Sequence, residues 1–169
     1  MNYKYTALDV ANYIVWHVNT KQLGIVTPLK LQKILYYVST TYLQKNEELL
    51  FDENFEKWQY GPVVTDVYHT FKSHGFSPIP APKPKFVRTS SNALSIKRIE
   101  FDENQFNDDQ KFVDLANSVI SELINESAFA LVNKTHEEKA WSKFEKEIMA
   151  GVKELYYSKD ELKAAQNII

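Results

Sequence analysis

The residues best suited to catalysis or metal binding are few, and their spacing works against both. Histidine occurs four times, at positions 17, 69, 74 and 136, and cysteine does not occur. His136-Glu137-Glu138-Lys139-Ala140 begins like a zinc-protease helix, in which two histidines four apart share one face and the glutamate serves as general base. The position of the second histidine is Ala140, so no imidazole pair forms there. His69 and His74 stand five apart, off the interval at which helical side chains meet. Without cysteine there is no thiolate zinc site, thiol nucleophile or disulfide, which fits a reducing compartment. No Gly-x-Ser-x-Gly elbow is present, and the four glycines form no phosphate-cradling loop. The carboxylates gather where helices start, and capping accounts for them. The expectation is a protein with no catalytic site, metal or cofactor, acting by binding another macromolecule.

The elements around these residues are legible from caps and periodicity. Thr6 caps a first helix, with Asp9 closing a capping box, and Ala7, Val10, Ala11, Ile14 and Val18 form its buried stripe. Thr27 followed by Pro28 starts a second helix whose core stripe is Leu31, Ile34, Leu35, Val38 and Tyr42. Lys30, Lys33 and Tyr37 share another side of it, beside Gln32 and Tyr36. Residues 55–60 alternate as a short strand that Gly61-Pro62 ends. A third helix carries Val64, Val67, Tyr68 and Phe71 and stops by Gly75. Prolines at 78, 80, 82 and 84 forbid helix and central strand. Phe86-Val87-Arg88 and Leu94-Ser95-Ile96 flank a Ser90-Ser91-Asn92 turn and predict a hairpin. Asp108 and Asp109 open a helix with the stripe Phe112, Leu115, Ala116, Val119, Ile120 and Leu123. Ser127 opens a short helix through Val132. Thr135 with Glu138 reads as a capping box for a helix bearing Trp141, Phe144 and Ile148, broken at Gly151; Ser158 with Glu161 caps a last, peripheral helix. The fold class expected is α+β: one mainly helical domain over residues 1–169 with a small antiparallel sheet or hairpin.

At 169 residues the chain is long enough to bury a core without disulfides or metals. No signal-peptide pattern opens it, and no apolar run approaches the ~20 residues of a membrane span, so a cytoplasmic, membrane-free protein is expected. Net charge is −2. No acidic residue falls between Asp66 and Glu100, where Lys72, Lys83, Lys85, Arg88, Lys97 and Arg98 all lie. Such a basic stretch either steers an acidic partner, pairs with the acidic residues that follow, or is a solvated face. Direct nucleic-acid binding is disfavoured: the loop from His17 to Val26 is too long for a helix-turn-helix, and the net charge has the wrong sign.

Three segments together resemble a known family. They are Asp9-Val10-Ala11-Asn12-Tyr13-Ile14, then Thr27-Pro28-Leu29-Lys30-Leu31-Gln32-Lys33-Ile34-Leu35-Tyr36-Tyr37, then Phe55-Glu56-Lys57-Trp58-Gln59-Tyr60-Gly61-Pro62-Val63 with Val67-Tyr68. Ser127-Ala128, Thr135-His136-Glu137-Glu138 and Trp141 follow in order, so the motifs span roughly residues 7 to 141. The chain is similar to the Panacea, or SocA-like antitoxin, domain of bacterial and phage-associated proteins. Ala140, where proline is common in the family, and Ser39-Thr40-Thr41, where smaller residues are expected, depart from the pattern. The resemblance implies an antitoxin of a toxin–antitoxin system. It would neutralise a toxin encoded beside it by direct binding, with a protease adaptor and a DNA-binding regulator as the alternatives. Lys30, Lys33, Tyr37, Trp58, Tyr60, His136 and Trp141 are the candidate partner-binding residues. Either they line a toxin-binding groove, since tyrosine, tryptophan and basic side chains make strong interface anchors, or they pack against one another as a structural face.

Overall fold

The computed structural model describes residues 3–90 and 95–169. Eight α-helices, four short strands and two single-turn 3-10 helices (Lys72–His74 and Glu103–Phe106) make up the regular structure of these residues: α1 (Ala7–Thr20), α2 (Pro28–Asn46), β1 (Glu56–Trp58), β2 (Gly61–Val63), α3 (Thr65–Phe71), β3 (Lys85–Arg88), β4 (Ile96–Ile99), α4 (Gln110–Leu123), α5 (Ala128–His136), α6 (Lys139–Ser142), α7 (Glu145–Met149) and α8 (Lys159–Lys163). The class is α+β and mainly helical. The strands form two antiparallel pairs, β1 with β2 and β3 with β4.

Local chemistry sets the helix starts. Thr6 and Asp9 form the reciprocal capping box of α1, Thr27 accepts from Lys30 N ahead of Pro28 in α2, and Ser158 with Glu161 does the same as a box for α8. The stripes of α1 and α4 are buried throughout. Helix α2 behaves differently from its predicted one-sided stripe: every residue from Leu31 to Thr41 is buried. It runs through the middle of the molecule against α1, α3, α4, α5, α8 and β2. A helix enclosed on all sides must find internal partners for its polar groups. Ser39 donates to Leu35 O at 2.8 Å, and Gln32 makes a two-way pair with the main chain of Val64, at 3.2 and 3.0 Å. Tyr42, expected in the core stripe, is only partly buried.

Four further expectations are corrected. Gly61-Pro62 does not end the strand but begins the return strand β2, with Trp58 facing Gly61 and Lys57 facing Pro62. Gln59 and Tyr60 form the two-residue turn, and Gly61 at φ +95° takes the left-handed conformation that this turn needs. Ser127 does cap α5, but α5 continues to His136, past Val132. Thr135 lies inside it and donates its hydroxyl to Val132 O at 2.7 Å. Glu138 cannot close a box with Thr135 because both its oxygens are occupied elsewhere, as described below. The segment bearing Trp141, Phe144 and Ile148 is then two short helices, α6 and α7, rather than one.

The proline-rich stretch is extended, as its spacing requires, and is tied down at two points. Asn12 of α1 exchanges two hydrogen bonds with the main chain of Lys83, at 2.7 and 2.9 Å, and Ile79 is buried with its N–H on Val26 O. The hairpin follows as β3 and β4, in the register Lys85–Ile99 to Arg88–Ile96. Its expected turn, Ser90-Ser91-Asn92, falls largely outside the described residues.

Candidate functional site

One surface of the molecule is built from the β1–β2 hairpin, and its stiffness comes from three buried supports beneath it. The first is Lys33. Its side chain is completely buried, and its amine donates to Pro62 O at 2.8 Å. Burial in apolar surroundings disfavours the ammonium and pushes its pKa down from 10.5 to about 7. A Cβ on Gly61 would stand 2.5 Å from Thr135 Oγ1 and 3.0 Å from Lys33 Cε, so α2, α5 and the hairpin meet there at a distance only glycine permits.

The second support is Glu138. Tyr36 donates to its Oε1 at 2.7 Å, and Tyr37 to its Oε2 at 3.1 Å. Gln166 adds its main-chain N–H to Oε2 at 2.8 Å. Burial raises the carboxyl pKa above its ordinary value, and these hydrogen bonds pull it back only in part. Burial, followed by the nearby Glu138 charge, also raises both tyrosine pKa values. The triad joins α2 to the start of α6.

The third support is the stack of His136 on Trp141, ring centres 3.6 Å apart and 14° from parallel. The indole N–H donates to Trp58 O at 2.9 Å. His136 Nε2 lies 3.0 Å from Gln59 O; a carbonyl only accepts, so Nε2 carries the proton. Burial lowers the imidazole pKa; the hydrogen bond to Gln59 O offsets part of that, and the nearby Lys33 amine adds to the lowering. Together these two rings hold the main chain of the turn at both Trp58 and Gln59.

Above this support lies an open groove of about 470 Å³ between the start of α2, the hairpin, α3 and α5. Pro28, Leu29, Trp58, Tyr60, Tyr68, Phe76 and Phe129 are among the apolar side chains that line it. Several of these stand in water: Tyr60 is 49% exposed, Phe129 54% and Phe76 90%. Trp58 packs edge-on to Tyr68 at 4.9 Å and Tyr60 edge-on to Phe129 at 5.8 Å, so the rings are set against one another. Lys72 is the charged side chain at its rim.

The seven candidate residues therefore divide. Trp58 and Tyr60 line the groove. Lys33, Tyr37 and Trp141 are interior and do not reach it, and His136 is half-buried under the turn. Lys30 lies at the start of α2, its amine donating to Ile124 O at 2.9 Å, with burial lowering its pKa. Sequence reasoning missed Phe76, Phe129 and Leu29 as groove residues and placed Tyr68 only in the third helix, with Val64, Val67 and Phe71. The available signal was a large aromatic at a position the apolar period leaves outside: Phe129 precedes the buried Leu131-Val132 pair, and Phe76 sits between Gly75 and the proline run.

Among the described residues no group of histidine and carboxylate side chains is placed to hold a metal ion, and no helix is long and apolar enough to cross a membrane. What fold and groove define is a helical α+β protein with an exposed aromatic groove on a rigid base. The family follows from comparison: a model of the SocA-like antitoxin, Panacea domain, matches residues 31–142. That is well over half of the chain, which belongs to this family. No curated protein and no solved structure matches it. The matched span contains all three supports and the hairpin, α3 and Phe129 walls of the groove.

Proposed function

We propose that this protein is an antitoxin that neutralises its toxin by binding it directly, with an apolar, aromatic-complementary segment of the toxin seated in the groove lined by Trp58, Tyr60, Tyr68, Phe76 and Phe129. Membership of the antitoxin family supports the function, and the groove's exposed rings support the place. Exposed clustered aromatics cost a free protein solubility and serve as anchors when a partner covers them, each contributing on the order of 2 kcal/mol or more. The buried network beneath holds the main chain at Trp58 and Gln59 before binding, which lowers the ordering cost of association at the hairpin. Neutralisation is then occlusion, with no cofactor and no turnover.

Co-expression with the product of the adjacent reading frame tests this. The neighbour alone should arrest growth; the pair should grow and co-purify. Tyr60→Ser with Phe129→Ser should lose both rescue and co-purification while the chain stays folded by circular dichroism. Rescue in which the neighbour's protein vanishes, and only when a host protease is present, would replace occlusion by delivery for degradation. Salt-sensitive binding to its own promoter, with no rescue, would make the chain a regulator instead.

A further inference from the structure

The β3–β4 ribbon presents a surface that neither the core nor the groove uses. Residues opposite each other in an antiparallel pair share a face, and neighbours along a strand alternate. Phe86 faces Arg98 and Arg88 faces Ile96, so these four side chains lie together on one side. The other side carries Lys85 and Ile99 toward the body, where the Lys85 amine reaches the Asp9 carboxylate at 3.0 Å. The first side is open: Phe86 is 63% exposed and Ile96 62%, with exposed arginines beside them.

Charge selects the occupant. The stretch from Val67 to Ile99 has no acidic residue. Arg98 pairs with Glu100, but both are largely exposed, and such a pair exchanges partners at little cost. The Arg88 guanidinium and the Lys97 amine meet no carboxylate among the described residues. Positive charge on a short open ribbon guards against pairing with a second copy, which would set arginine against arginine. That guarding function gives no reason for Phe86 and Ile96 to face water. Single-stranded nucleic acid calls for a basic track with successive stacking rings. Here one ring is offered, and Glu100, Asp102 and Glu103 follow directly.

We infer that the outward face of the β3–β4 ribbon is a docking surface for an acidic segment of a partner protein, its carboxylates on Arg88 and Arg98 and its apolar side chains over Phe86 and Ile96. Phe86 also borders the cleft beside β3, where Glu53 and Asp66 stand with His69, Lys83 and Lys85. Arg88, Ile96 and Arg98 are not part of that lining, so the arginines, and not the cleft, place the segment's carboxylates. The inference is independent of what fills the aromatic groove.

The probe is a labelled synthetic peptide alternating glutamate with valine, titrated into the full chain by fluorescence anisotropy. Saturable binding is expected, weakening as salt rises. Arg88→Glu with Arg98→Glu, or Phe86→Ser, should reduce affinity about tenfold or more, and Tyr60→Ser should leave it unchanged. All these side chains are exposed, and unchanged thermal unfolding shows that the variants fold. No saturable binding, binding indifferent to the ribbon variants, or tighter binding of an oligothymidylate to the same face would each overturn the inference.

Discussion

Burying a lysine costs far more free energy charged than neutral, so Lys33 makes stability depend on pH with a definite sign. Its pKa is about 7 in the folded protein and 10.5 in its ordinary state. Between these values the unfolded chain holds the extra proton, so raising the pH favours the folded state. Tyr36, Tyr37 and Tyr157, whose pKa values burial raises, oppose this only once unfolded tyrosines ionise near pH 10. Urea midpoints should therefore climb from about pH 7 to about pH 9, and Lys33→Met should flatten that rise. A Lys33→Met protein that keeps the full slope would place its origin elsewhere. Gly61 is the second residue with a sharp expectation. Gly61→Ala meets both a positive φ and the atoms of Thr135 and Lys33, and should cost about 2–4 kcal/mol by denaturant unfolding. Gly151→Ala, at φ +81° with open space around it, should cost only about 1–2 kcal/mol. The difference between the two isolates the close approach from the backbone strain.

Helix α2 shows which parts of an element can be read from sequence and which cannot. Its start was legible because Thr27 and Pro28 act within one turn, and so were the boxes at Thr6 and Ser158. Its burial on every side was not, because the partners that let polar side chains go inside lie far along the chain. Lys33 meets Pro62 29 residues away, and Tyr36 meets Glu138 102 residues away. The same distance effect undid the box expected at Thr135: locally Glu138 looks like a capping residue, but two tyrosines and Gln166 claim its oxygens. Of the candidate residues, Trp58 and Tyr60 line the groove, whereas Lys33, Tyr37 and Trp141 are interior and His136 is half-buried under the turn. Glu138→Ala should leave both tyrosine hydroxyls and the Gln166 N–H without their acceptor, costing about 3 kcal/mol or more. Glu138→Gln keeps one oxygen and should cost clearly less. Equal losses would mean that packing, and not the hydrogen bonds, makes the carboxylate matter.

At the scale of the whole molecule, the supports and the groove should separate experimentally, because one set of residues is buried and the other faces water. Trp141 is buried and bonded to the turn, so Trp141→Ala should destabilise the fold by about 3–5 kcal/mol and weaken any partner through the loosened hairpin. Phe76, at 90% exposed, has almost no folded contacts to lose, and Phe76→Ser should move stability by no more than about 0.5 kcal/mol. Its effect on growth rescue in the co-expression assay should nevertheless be large if a partner covers the groove. Stability and rescue measured on the same pair of variants should therefore come apart: Trp141→Ala loses stability and partner binding together, and Phe76→Ser loses rescue at unchanged stability. If rescue simply followed stability across both, the rings would be bystanders, and the binding surface would have to be sought away from the hairpin.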